Sequence, residues 1–231
     1  MKRYAIAGLK VDMECSGRTS KQAEAYAAVA DGPADITITC DIPRILELNP
    51  QITTEEMAEY LGSAMIFARE LLDFDGVYLH SSAIVLDGKA YLFSAPSGTG
   101  KSTHTEKWCR LFGATYLNDD KPVLRLVDGV WMAYGTPWSG KHDLSCPIGV
   151  PLGGLVFVRR GEENSMRQLR PEEAVPRLMS QTLWRHKTPE GLEKQLVLTD
   201  KLLRSFPLWL LTCRNDDDAA YVSKKALVDG V

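Results

Sequence analysis

Tyr91-Leu-Phe-Ser-Ala-Pro-Ser-Gly-Thr-Gly-Lys-Ser102 is the stretch whose reading decides the fold. An apolar run from Tyr91 to Ser94 feeds a glycine-rich loop, and residues 102–112 read as a helix stopped by Gly113. The loop has the form [AG]-x-x-x-x-G-K-[ST], with Ala95 first and Gly100, Lys101 and Ser102 last. A triphosphate is a dense cluster of negative oxygens. Backbone N–H groups surround it closely only where side chains are missing, which is the use of Gly98 and Gly100. The loop ends at a helix N-terminus, whose unpaired N–H groups favour anions. Lys101 adds a charge that reaches the β- and γ-phosphates, and the Ser102 hydroxyl suits Mg²⁺. The expected nucleotide-binding set is therefore Ala95, Pro96, Ser97, Gly98, Thr99, Gly100, Lys101, Ser102 and Thr103. A plain Gly/Ser turn is the competing reading, and the strand before the loop and the helix after it argue against that.

Working outward, residues 76–95 hold two apolar runs joined by Asp87-Gly88, a hairpin-turn signal. Residues 115–117 read as a short strand, and 123–134 as a hairpin turned at Asp128-Gly129. Strands are expected at 153–158 and 208–212, and helices at 171–184, 189–205 and 217–228. The run Asp216 to Asp218 suits the first turn of the last of these. Upstream, 4–9 and 35–40 read as strands. Residues 53–74 read as a helix with an acidic first turn at Glu55 and Glu56 and an apolar face through Met57, Leu61, Ala64, Met65, Ala68 and Leu72. The organisation this predicts is α/β: a small N-terminal layer, residues 1–75, packed on a core of mixed sheet and helices, residues 76–231.

Composition excludes more than it selects. The chain has 231 residues, 45% hydrophobic and 25% charged, with net charge −3, which fits a globular α/β protein. That charge does not point to nucleic acid or an anionic membrane as partner. Cys15, Cys40, Cys109, Cys146 and Cys213 are scattered and odd in number, without a CxxC pair. They suit neither a zinc site nor a disulfide framework, and the expected setting is cytoplasmic. No apolar run approaches the about 20 residues of a membrane span.

Two further features carry chemistry. Leu117-Asn-Asp-Asp-Lys121 places two carboxylates at the end of a short strand. Buried without a cation they are costly; beside a bound triphosphate, Mg²⁺ supplies one. One carboxylate then serves the metal and the other accepts a hydroxyl proton, although a solvated acidic turn has the same sequence. His80, on the strand before the loop, is either a satisfied structural residue or a partner of the acidic pair.

Together, Leu79-His80-Ser-Ser-Ala-Ile-Val, Ala95-Pro-Ser-Gly-Thr-Gly-Lys-Ser102 and Leu117-Asn-Asp119-Asp120 resemble the HPr kinase/phosphorylase family. That family shares a superfamily with the phosphoenolpyruvate carboxykinases. The resemblance covers roughly residues 76–160. It implies a P-loop-containing core of mixed sheet flanked by helices, and an ATP- or GTP-dependent, Mg²⁺-dependent kinase that phosphorylates a hydroxyl. The usual acceptor is a serine of a protein or peptide. Carried over by position, Lys101 holds phosphates and Ser102 and Asp120 place Mg²⁺. Asp119 is then the base, and His80 orients or tunes it. Lys121 stands where the family often has Arg, and Thr103 where the bifunctional enzymes often have an acid. Family members are often hexamers, so the resemblance leaves a homo-oligomer open. Two rival readings are a nucleotide-binding regulatory module without kinase activity and a small-molecule kinase.

The loop Tyr134-Gly-Thr-Pro-Trp-Ser-Gly-Lys-His-Asp143 is also rich in chemistry. Lys141 and His142 suit phosphate or acceptor, and Trp138 suits either a cover over a ligand or a buried anchor. Arg159 and Arg160 read as a solvated strand end, with phosphate contact by one of them as the alternative, and His104 and His186 as surface or structural residues.

Overall fold

The computed structural model describes residues 1–140, 142–182 and 188–230. The N-terminal layer begins with β1 (Lys2–Ile6) and β2 (Leu9–Met13), antiparallel partners turned at Ala7-Gly8. Residues 4–9, expected as one strand, therefore contain a turn. Both turn residues have positive φ, 54° and 75°, and alanine rarely announces that conformation. Next come α1 (Gly17–Ala23), β3 (Ile36–Ile38), α2 (Ile42–Leu48) and α3 (Glu55–Glu70), which a 3-10 turn extends to Phe74. The Thr54 hydroxyl caps α3 by accepting the Met57 N–H at 3.2 Å, and Glu55 and Glu56 lie in its first turn. β3 lies parallel to β2 and closes a three-stranded sheet.

The core follows. Its first elements are β4 (Gly76–Tyr78), β5 (Ser81–Leu86), β6 (Lys89–Ser94), α4 (Lys101–Phe112) and β7 (Thr115–Asn118). Then come β8 (Val123–Val127), β9 (Val130–Tyr134), β10 (Gly149–Arg160) and β11 (Ser165–Gln168). The chain ends with α5 (Pro171–Gln181), α6 (Pro189–Ser205), β12 (Leu208–Cys213) and α7 (Asp218–Lys224), continued by a π turn to Asp229. Asp87-Gly88 and Asp128-Gly129 turn the two hairpins with positive φ at both residues, as the sequence signal requires. Asp216 caps α7 by accepting the Ala219 N–H. Residues 183 and 184, expected at the end of the 171–184 helix, lie outside the described residues.

Strands β4 to β12 form one mixed sheet, ordered β4-β8-β9-β10-β6-β5-β7, with β12 on β10 and β11 on β12. β10 is longer than the expected 153–158. Residues 149–151 pair antiparallel with β9, and after a bulge at Gly153 the strand runs parallel between β6 and β12. Strands buried on both faces carry apolar residues at every position, and the period of two sorts them. Ala83, Leu92, Leu155, Phe157 and Leu210 face α5 and α6; Ile84, Phe93, Val156, Val158 and Leu211 face α4 and α7. The chain is thus an α/β protein with a mixed sheet flanked by helices. The N-terminal layer buries Tyr4, Ile6, Val11, Ile38, Ala64 and Phe67 in a cluster that also takes in Tyr78, Val123 and Trp138 from the core. Among the described residues no helix is long and apolar enough to cross a membrane.

Candidate functional site at the glycine-rich loop

β6 ends at Ser94, where it lies parallel to β10, and the chain then turns through 95–100 into α4. Gly98 and Gly100 have φ of 77° and 115°, which L side chains rarely adopt. A Cβ at either would meet nothing within 4 Å, so the space above the loop is open. Gly100 caps α4, leaving the first N–H groups of that helix directed at this space. Lys101 is 8% exposed, and its Nζ donates to the carbonyl of Ala95 at 2.7 Å, bracing the loop across its mouth. Burial pushes the Lys101 ammonium below its usual value, and the Asp120 charge opposes that shift. Arg160, at the end of β10, donates to the carbonyls of Gly98 at 2.6 Å and Thr99 at 3.3 Å. It is exposed at the strand end, as the sequence suggested, and is also a second brace on the loop.

The acidic pair is aimed by Asn118, the last residue of β7. Its fully buried side chain accepts the N–H groups of Asp120 at 2.9 Å and Lys121 at 2.7 Å, and donates to Thr136 O at 2.9 Å. This turn ends the strand and presents the two carboxylates to the loop. Asp119 and Asp120 join His80, Ser97, Gly98, Gly100, Lys101, Ser102 and Thr103 around one cavity of about 540 Å³, with Gly140, His142 and Arg160 on its rim. Ala95, Pro96 and Thr99 complete the loop without lining this cavity. Lys141 and His186 lie outside the described residues.

The carboxylates differ sharply. Asp119 is pushed up to about 7, first by burial and then by the adjacent Asp120 charge. Its Oδ1 is buried and has no hydrogen-bond partner among the described residues. Asp120 is paired with Lys121, whose ammonium also lies 5.1 Å from the centre of the Tyr60 ring. His80 approaches Asp120, and not Asp119 as expected: its Nε2 is 3.6 Å from Asp120 Oδ1. Gln181, at the end of α5, fixes this histidine. Its carbonyl accepts the His80 N–H at 2.7 Å, and its Oε1 lies 3.2 Å from His80 Nδ1. Burial lowers the His80 pKa, Lys101 adds to that, and Asp120 opposes it. His104, on α4, is buried against Phe93 with Nε2 3.0 Å from Ser223 Oγ, and burial lowers it to about 3. It is a neutral structural residue.

The 135–143 loop reaches the site through its backbone. A Cβ on Gly140 would lie 3.1 Å from Asp120 Cβ and 3.5 Å from Asp119 Oδ1. Gly140 is held by the N-terminal layer: its N–H donates to Tyr60 Oη at 3.0 Å, and its carbonyl accepts from Arg18 and, at 3.0 Å, from Gln22. Trp138 does not cover a ligand. It is fully buried beside Phe67 and Tyr78, with Nε1 donating to Ser63 Oγ at 3.0 Å, and it anchors the loop. Sequence reading did not single out Arg18, Gln22, Tyr60 or Gln181, because no spacing links them to the motifs. Asn118, inside the acidic motif, carried a signal as a strand-ending Asn.

Among the described residues no group of three or more His, Cys, Asp or Glu is placed to hold a metal ion. Mg²⁺ at a nucleotide needs only one or two protein oxygens beside the phosphates. The exposed Ser102 hydroxyl and the Asp120 carboxylate, on one cavity, fit that donor set.

No family model and no curated protein matches the chain. Among solved structures the chain is similar to the Hpr(Ser) kinase/phosphatase from Coxiella burnetii, at 12% identity and a TM-score of 0.38. The match covers 66% of this chain and 94% of that one. At that identity and score the likeness assigns no residue and no reaction to this chain.

Proposed function

We propose that this protein is an ATP- or GTP-dependent kinase that transfers the γ-phosphoryl group to a hydroxyl, with Asp119 as general base. The observation that carries this reading is the state of Asp119. A carboxyl poised near 7 shares a cavity with a braced glycine loop and a lysine. A base works best when its pKa lies near the working pH, and this one lines the space beside the loop. The loop N–H groups and Lys101 suit the phosphates and the charge that develops on the transferred group. Ser102 and Asp120 would hold Mg²⁺, which when bound neutralises phosphate charge. Lys121 and His80 hold Asp120 in place, so the two carboxylates would divide the work of cation and proton. The resemblance of the three motifs to the HPr kinase/phosphorylase family implies a serine of a protein or peptide as acceptor.

The test is phosphate transfer from radiolabelled ATP with Mg²⁺ into a lysate of the source cells, the labelled species being identified by mass spectrometry. Lys101→Ala is expected to abolish labelling. Asp119→Asn is expected to abolish labelling while nucleotide still binds, measured by calorimetry. Full labelling by either variant would sink the proposal. ATP binding with no transfer by the wild-type protein would identify a regulatory module instead, and label found only in small metabolites would identify a small-molecule kinase.

A further inference from the structure

A second cavity, of about 430 Å³, adjoins the first and shares Gly100, Thr103 and Arg160 with it. Its volume is in the range of ligand clefts, about 300–1,000 Å³. Its lining changes character away from the loop. Val158 at the end of β10 and Cys213 at the end of β12 are buried and form an apolar wall. At the rim stand Lys107 from the second turn of α4 and Asn215 from the turn before α7, joined by a hydrogen bond from Lys107 Nζ to Asn215 Oδ1. No carboxylate lines it.

We infer that this cavity takes the nucleoside half of the donor, with the base on the Val158–Cys213 wall and its polar edge at Asn215. The inference rests on the kinase reading above and extends it. A nucleoside triphosphate is a charged chain with a flat, largely apolar ring system at one end. A chain seated on the loop N–H groups has two open sides. One is the cavity of the acidic pair, where a second charged group is repelled and a hydroxyl is wanted. The other is this cavity, which has the apolar wall a ring needs and carries cations alone among its charged groups. Arg160 and Thr103 stand where the two spaces meet, so the phosphate chain would pass between them. The Asn215 amide offers N–H donors to a base while its oxygen holds Lys107. Arg214 also lines the rim, with its Nε 2.9 Å from Asp216 Oδ2, so that its charge is shared with that carboxylate.

The experiment is calorimetric titration of the full chain, in the presence of Mg²⁺, with ATP and separately with inorganic tripolyphosphate. The wild-type protein is expected to bind both, with ATP at least about tenfold tighter. The double variant Lys107→Ala, Asn215→Ala, at partly exposed positions, is expected to lose about tenfold in ATP affinity with tripolyphosphate affinity unchanged. Retained tripolyphosphate binding also reports that the variant is folded. Equal affinity of the wild-type protein for the two ligands, or unchanged ATP affinity in the variant, overturns the inference and leaves the phosphate site standing. Failure of the wild-type protein to bind either ligand overturns both. Photolabelling with 8-azido-ATP is a second readout that needs no variant. Label is expected in the peptides carrying 104–107 or 213–215, and label confined to other peptides overturns the inference.

Discussion

Asp119 and Asp120 are neighbours in the chain, yet their surroundings separate them. Lys121 and the His80 ring face Asp120, while Asp119 is buried beside a like charge. The separation has a sign that can be measured. The folded pKa of Asp119, about 7, lies above the ordinary 3.8, so the folded protein holds this proton more tightly than the unfolded chain does. Stability from the protonated form is complete below about pH 4 and is lost as pH rises through about 7. Asp119→Asn removes the titration. The variant is therefore expected to gain on the wild-type protein as pH rises from 4 to 7, and to keep that gain at pH 8. The expected size is about 2 kcal/mol, half of what the whole shift would give, because solvent screens a partly exposed carboxyl. Urea unfolding of both proteins at pH 5 and pH 8 measures it, and a gain that is the same at both would contradict the assignment. In the wild-type protein, phosphoryl transfer should rise through about pH 7 to a plateau as the base loses its proton.

At the scale of elements, α4 is bounded by two glycines with different tasks. Gly100 and Gly113 both have positive φ, 115° and 74°, and a Cβ at either meets nothing within 4 Å. Alanine should therefore cost about 1–2 kcal/mol of backbone strain at each, read as a drop in thermal midpoint. Only Gly100 faces the cavity. Gly100→Ala is expected to weaken tripolyphosphate binding at least about tenfold, and Gly113→Ala to leave it unchanged. Equal effects on binding would mean that the loop backbone does not hold phosphate. This helix and its loop were legible because local chemistry decides them: an apolar strand, glycines where the backbone must turn, and Gly113 at the stop. The Asp-Gly hairpins and the span of α6 were legible for the same reason. Other elements were not. α2 buries none of its residues, so it shows no periodic apolar face. β11 is a polar edge strand, largely exposed. Pro151 and Gly153 look like breakers, yet β10 runs through them, because its first part pairs with β9 and its bulge falls at Gly153.

At the scale of the molecule, the site depends on contacts that no local pattern records. The loop residues, Asp119, Asp120 and His80 belong to consecutive elements of the core; spacing left His80 open, and the resemblance of the motifs to one family is what suggested them together. Arg18, Gln22 and Tyr60 reach the acidic pair by way of Gly140, and Tyr60 also through Lys121, across the junction with the N-terminal layer. That junction is built from buried groups. Trp138 comes from the core side, yet it sits fully buried against Phe67 of α3 and hydrogen-bonds Ser63. Tyr78 and Val123 belong to the same cluster. A shared core couples the unfolding of its two sides, since neither can open without exposing the other. Urea unfolding followed by circular dichroism is therefore expected to show one transition for the whole chain. Trp138→Ala should lower its free energy by about 3–5 kcal/mol, the range for deleting a buried indole. In the part of the population that stays folded, ATP affinity should hold while phosphoryl transfer falls, because the loop carrying Gly140 loses its anchor and the acidic pair loses its wall. Two separate transitions, with Trp138→Ala shifting only one, would show instead that the N-terminal layer folds alone and that Gly140 is held by surface contacts.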